Sequence, residues 1–99
     1  MEKVALFGCG NYGKKALWEY GKENVVCFID NSKDNQGKTI EGIPIISLDD
    51  YKENWTQYDI VISATAIKEI KTQLDLCGIK KYRLYLPKTQ YYRLPCNFL

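Results

Sequence analysis

Apolar residues in this chain come in short blocks separated by polar stretches. Val4-Ala5-Leu6-Phe7, Val25-Val26-Cys27-Phe28-Ile29 and Ile60-Val61-Ile62 are unbroken apolar runs. Runs this short and continuous predict strands buried on both faces, as in a parallel sheet covered by helices. Two segments between them follow helical spacing instead. Ala16, Leu17 and Tyr20 share a face with Gly13, while Ile67, Ile70, Leu74 and Cys77 recur at intervals of three, four and three and stop at Gly78. Ser47-Leu48-Asp49-Asp50 resembles a cap that opens a brief helix to about Trp55. The Ile43-Pro44-Ile45-Ile46 strand contains a proline that cannot donate a ladder bond, which places it at the sheet edge. Tyr82 to Leu86 supplies a fifth strand before Pro87.

This alternation predicts an α/β, three-layer domain over residues 1–86, with a mostly parallel five-stranded sheet in the order 3-2-1-4-5. Residues 87–99 form a tail whose Tyr91, Tyr92, Leu94, Phe98 and Leu99 are too apolar to hang free, although Pro95 argues against a long helix. The tail is expected to fold back on the sheet, pair with a second copy, or lead into a further domain.

The candidate chemistry lies where the first strand ends. Gly8-Cys9-Gly10-Asn11-Tyr12-Gly13 joins that strand to the first helix, and Asp30, 22 residues after Gly8, ends the second strand. Strand, glycine triplet, helix, strand and acid in this order make a Rossmann-like dinucleotide-binding unit. Gly8 suits a sharp turn, Gly10 lets the backbone approach a pyrophosphate, and Gly13 lets the helix lie close on the sheet. Unpaired amides at the helix start, aligned with its dipole, favour an anion, and Asn11 is the expected N-cap. Asp30, followed by Asn31, suits the hydroxyls of a ribose and would repel a 2′-phosphate, so NAD-type or other free-ribose ligands are expected over NADP. Ligands collect outside the carboxyl ends of parallel strands, which adds Ser63, Ala64 and Thr65 as expected borders of the site, with Thr65 equally suited to cap the next helix.

Composition narrows the classes. With 14 basic and 12 acidic residues the net charge is +2, so no large positive field is available and no nucleic-acid partner is expected. No apolar run approaches the ~20 residues of a membrane span, and the first residues lack the apolar stretch of a secretory leader, which points to the cytoplasm. There is no histidine, and Cys9, Cys27, Cys77 and Cys96 form no CxxC pair, so no metal site is expected. Cys9 alone sits where a helix start favours a thiolate, though a small residue tolerated in a glycine turn is the simpler reading.

The segments VALFGCGNYGKKAL, VVCFIDN, GKTIEGIPIIS and DIVISAT together resemble the small Rossmann-like module of bacterial polysaccharide-biosynthesis proteins, over roughly residues 3 to 86. Such modules occur at the N-terminus of sialic-acid-type sugar O-acyltransferases and in nucleotide-sugar dehydratases, and beside some glycosyltransferases and sugar methyltransferases. The resemblance implies binding of a nucleotide, a nucleotide-sugar or NAD in a sugar pathway, as a fragment or subunit of a transferase or similar enzyme. It carries Gly8, Gly10 and Gly13 onto the phosphate turn, Asp30 and Asn31 onto the ribose end, and Ser63 onto the edge of the site. It supplies no catalytic centre, because the regions that hold one in those enzymes have no counterpart here. Two other functions compete: a ligand-free interaction or oligomerisation module, and a small NAD-dependent oxidoreductase completed by dimerisation.

Overall fold

Successive residues of each strand point to opposite faces of the sheet, and each face meets its own helices. The computed structural model describes residues 2–87. Strands β1 (Val4–Phe7), β2 (Val25–Ile29), β3 (Thr39–Ile40), β4 (Ile43–Ile46), β5 (Asp59–Ile62) and β6 (Tyr82–Leu84) make one sheet. Its order is β3-β4-β2-β1-β5-β6. All pairings are parallel except that of β3 with β4. Helices α1 (Asn11–Tyr20), α2 (Leu48–Asn54) and α3 (Ile67–Leu76) complete the three layers of an α/β, Rossmann-like domain.

The two faces divide the core. Val4, Leu6, Phe28, Ile45 and Val61 pack with Ala16 and Leu17 of α1. Ala5, Phe7, Cys27, Ile29, Ile60 and Ile62 pack on the other face with Leu48 and Tyr51 of α2 and Ile70 and Leu74 of α3. Strands buried on both sides explain why β1, β2 and β5 read as continuous apolar runs. Burying each of the Val, Leu, Ile and Phe side chains among these contributes about 1.5–3 kcal/mol before entropy is counted.

Three local expectations are corrected. The five expected strands keep their relative order, but a sixth, β3, adds antiparallel to β4, so Pro44 lies one strand in from the edge, opposite Thr39. The hairpin between them turns through Glu41 and Gly42, both at positive φ (53° and 81°). That is the backbone twist of a tight two-residue turn; a short turn before the Ile43–Ile46 strand is legible in the sequence, but the two-residue strand Thr39–Ile40 that precedes it is not. Thr65 does not cap α3: its N-cap is Ala66, with no side-chain cap. Ser47 does cap α2, accepting the Asp50 N–H at 3.1 Å.

β6 covers Tyr82–Leu84, and the Tyr85 N–H continues its pairing onto the Ile62 carbonyl at 2.9 Å. The expectations for the apolar tail fall beyond Pro87, outside the described residues. Among the described residues no helix is long and apolar enough to cross a membrane.

α3 carries a sharp internal contrast, since Leu74 is fully buried and Leu76 is 84% exposed. Leu74→Ala is expected to cost about 2–5 kcal/mol and Leu76→Ala no more than roughly 0.5 kcal/mol. Thermal melts followed by circular dichroism check this, and equal losses would contradict the assigned helix face.

Candidate functional site

The chain leaves β1 at Gly8 with φ +118°, and the Gly8 N–H bonds to the Ile29 carbonyl at 2.8 Å. A Cβ on Gly8 would lie 2.6 Å from the Ser63 carbonyl oxygen, and one on Gly13 would fall on the Gly8 carbonyl oxygen. The turn is therefore wedged between the end of β5 and the first turn of α1, and side chains at these two positions are excluded on steric grounds alone. A Cβ on Gly10 meets nothing within 4 Å. The space above the middle glycine is open.

Helix α1 begins at Asn11 with Gly10 as its N-cap and no side-chain cap. Asn11 is therefore a first-turn residue rather than the expected cap. Its first backbone bond runs from the Lys14 N–H to the Gly10 carbonyl at 2.9 Å. The amides of Asn11, Tyr12 and Gly13 precede that bond, which is the arrangement that receives an anion.

Asp30 sits at the tip of β2, its N–H bonded to the Ile46 carbonyl at 3.0 Å. Its carboxylate faces the glycine turn. One oxygen accepts the Ser32 N–H at 2.7 Å, and the other accepts the Cys9 thiol at 2.7 Å and the Asn35 amide at 3.5 Å. The Gln36 amide, bonded at 2.8 Å to the Asp30 carbonyl, holds the following loop against it. The acid is thus fixed in place before any ligand arrives.

These contacts decide the state of Cys9. Burial, the hydrogen bond to Asp30 and the negative charge of Asp30 push its thiol up to about 12, against a smaller opposing pull from Lys14. The helix start does not produce a thiolate here, because burial and then the Asp30 carboxylate favour the protonated thiol. Cys9 is a hydrogen-bond donor that orients Asp30.

Two hollows flank the turn. One, about 200 Å3, lies between the tips of β1 and β2 and the start of α3, with Ile29, Ala64 and Ile70 among its apolar walls and Asp30, Asn31 and Gln73 on its polar side. The other, about 270 Å3, is bordered by Tyr12, Thr65, Ile67, Tyr85 and Leu86. Ala64 lines both. The Tyr85 hydroxyl donates to Glu19 at 2.7 Å and is held above the usual tyrosine range by burial and that bond. A roomier hollow of about 510 Å3, lined by Leu17, Trp18 and Ile40, contains no residue of the glycine turn. Volume alone would favour that place, but it lacks the turn amides and the fixed acid.

The structure therefore brings together Gly8, Cys9, Gly10, Asn11, Tyr12, Gly13, Asp30, Asn31, Ala64 and Thr65 at one end of the sheet. Ser63 is placed differently. It is buried, and its hydroxyl donates to the Gly8 carbonyl at 3.1 Å, so it braces the turn from beneath. Sequence reasoning missed Asn35, Glu69 and Gln73. Glu69 and Gln73 are four residues apart, beside the Ile70–Leu74 stripe on the neighbouring helical strip, and that offset is the signal that would have found them.

A family model described as C2185-like, N-terminal matches residues 1–85, and the chain belongs to that family. Among curated proteins the chain is similar to the redox-sensing transcriptional repressor Rex of Brevibacillus brevis. The two are 32% identical over 97 residues, covering 88% of this chain and 46% of that protein. It is also similar to the redox-sensing transcriptional repressor Rex of Lactobacillus acidophilus, at 25% identity over 96 residues with the same coverage. The chain thus spans about half the length of the curated relatives it matches.

These matches correct the expected resemblance to polysaccharide-biosynthesis proteins and the functions built on it, including a sugar-pathway transferase and a nucleotide-sugar ligand. The segments that suggested a sugar pathway, Phe28-Ile29-Asp30-Asn31 and Gly42-Ile43-Pro44-Ile45, are a strand tip and a hairpin that this fold uses structurally. The competing readings, an interaction module and a small oxidoreductase, gain nothing from relatives named as repressors. Those relatives also overturn the expectation of no nucleic-acid partner. The small net charge describes these 99 residues alone.

A thiol raised to about 12 is almost wholly protonated at pH 8, with about a thousandfold less thiolate than one at 9. Cys9 should therefore resist iodoacetamide at pH 8, read by peptide mass spectrometry, and Asp30→Asn should speed its alkylation. Folding raises this value, so the thiol's contribution to stability is complete below pH 9 and is lost as pH rises through 12. Rapid alkylation of Cys9 in the unaltered protein would contradict the Cys9–Asp30 bond.

Proposed function

We propose that this member of the C2185-like N-terminal family is the ligand-sensing part of a redox-responsive, cytoplasmic gene regulator, and that its ligand is a nicotinamide adenine dinucleotide. The observation that carries this reading is a fixed carboxylate, Asp30, facing a glycine turn that is open above Gly10 and flanked by a hollow on each side. A dinucleotide has the matching layout: two nucleosides joined by a pyrophosphate. In this reading the turn amides take the pyrophosphate, Asp30 takes the adenosine ribose, and the 200 Å3 hollow takes the base. The nicotinamide half enters the hollow bordered by Tyr12 and Tyr85.

The relatives' names support the biological role, since both are called redox-sensing transcriptional repressors. The described lining of the second hollow carries no charged side chain. Burying the cationic oxidised ring there without a partner costs more than burying the neutral reduced ring. Reduced dinucleotide should therefore bind more tightly, which makes occupancy a readout of redox state. Recognition of DNA falls, in this reading, to the portion of such a regulator outside the match.

Isothermal titration calorimetry tests the assignment. NADH should bind more tightly than NAD, and NADPH more weakly than NADH because Asp30 opposes its 2′-phosphate. Asp30→Ala should weaken NADH binding by about 10- to 100-fold, the equivalent of a hydrogen bond to a charged group at roughly 1.5–3 kcal/mol. Gly10→Val should keep the melting profile, since the space is open, and lose the ligand. Absence of any dinucleotide binding at millimolar concentration, with the fold intact, would refute the proposal.

A further inference from the structure

The tip of β2 and the side of α3 are joined by one contact that the dinucleotide layout does not require. The Asn31 amide donates to the Gln73 side-chain oxygen at 2.9 Å, and the Gln73 amide donates back to the Asn31 oxygen at 3.0 Å. This reciprocal pair spans 42 positions of sequence. Both residues line the 200 Å3 hollow, and Glu69, one helical turn before Gln73, lines it too.

We propose that Asn31, Gln73 and Glu69 are specificity-determining residues that select a 6-amino purine over a 6-oxo purine in this hollow. The inference rests on the dinucleotide reading and adds to it which groups read the base. Each primary amide has two N–H donors and two oxygen lone pairs. The reciprocal pair consumes one of each per residue, so each amide retains one donor and one acceptor whichever way the pair is turned. Adenine presents a neighbouring donor and acceptor, the 6-amino group and N7, which the free oxygen lone pair of one amide and the free N–H of its partner, side by side on the rim of the pair, can match with two bonds. A 6-oxo purine presents two acceptors on the same edge, so the amide oxygen meets a carbonyl and one match becomes a repulsion.

Charge points the same way. Asp30 and Glu69 are the only charged side chains among the described lining of the hollow, and both are acids. A carboxylate attracts an exocyclic amine and opposes an exocyclic carbonyl. The floor, with Ile29, Ala64 and Ile70, is apolar and accepts the face of a flat ring without regard to its substituents. Discrimination between purines must therefore come from the polar rim.

The test compares NADH with reduced nicotinamide hypoxanthine dinucleotide, which carries oxygen in place of the 6-amino group and a proton on N1, by calorimetry on the full chain. The unaltered protein should bind NADH at least about fivefold more tightly, the lower end of what such a two-bond base contact typically discriminates. Gln73→Leu and Asn31→Leu should each narrow the ratio to within about threefold, and Glu69→Gln should narrow it in part. Asn31 and Glu69 are exposed and Gln73 half-buried, and unchanged circular dichroism melts would show that each variant folds. Equal binding of the two dinucleotides by the unaltered protein, or full discrimination surviving in both leucine variants, would overturn this inference and leave the dinucleotide reading standing. Failure of NADH itself to bind would overturn both.

Discussion

The site depends on one steric constraint, the stacking of three backbone segments with no side chain between them. Gly13 of α1 lies on the Gly8 carbonyl, Gly8 lies on the Ser63 carbonyl, and the Ser63 N–H bonds to the Phe7 carbonyl at 2.9 Å. That contact draws the start of α1 down onto the carboxyl ends of β1 and β5 and leaves its first amides facing outward. Protein interiors are close-packed and yield little to an added carbon. The position of these amides is thus set by the core and needs no ligand to form.

The acid at the tip of β2 is organised in the same way. Ser32, Cys9 and Asn35 all bond to the Asp30 carboxylate, so the group that would receive a ribose is held by local contacts on two sides. A fixed acceptor loses little entropy on binding. An ionised carboxylate offers about four lone-pair directions, so a diol must share Asp30 with these three donors, and the long Asn35 contact at 3.5 Å is the weakest to give up. Cys9 therefore has a structural part in the site that its protonated state makes possible. Reactivity is suppressed by burial together with the same bond that orients the acid.

Much of this was legible in the sequence, for physical reasons. Continuous apolar runs at Val4–Phe7, Val25–Ile29 and Ile60–Ile62 reveal strands buried on both faces, and the glycine spacing reveals the turn because only glycine fits two of its three positions. Asp30 was legible because strand length fixes where a tip falls. Other features depend on tertiary contact and left no local trace. Ser63 looks like any hydroxyl at a strand end, and its inward bond to Gly8 follows from how β5 sits beside β1. Asn31 and Gln73 meet across 42 residues. The turn at Glu41-Gly42 was legible, but the pairing of β3 with β4 was missed because two residues, Thr39 and Ile40, are too short to show an alternating strand pattern. The attribution to sugar metabolism failed because strand and hairpin segments report the fold, and fold alone does not carry function.

The central claim is that the glycine turn and Asp30 hold a dinucleotide. Amide chemical-shift mapping of the isotope-labelled chain during titration with NADH tests it most directly. Saturable shifts are expected at residues 8–13, at Asp30 and Asn31, and at Ala64 and Thr65. Shifts centred on Leu17, Trp18 and Ile40, or none at millimolar NADH, would contradict it.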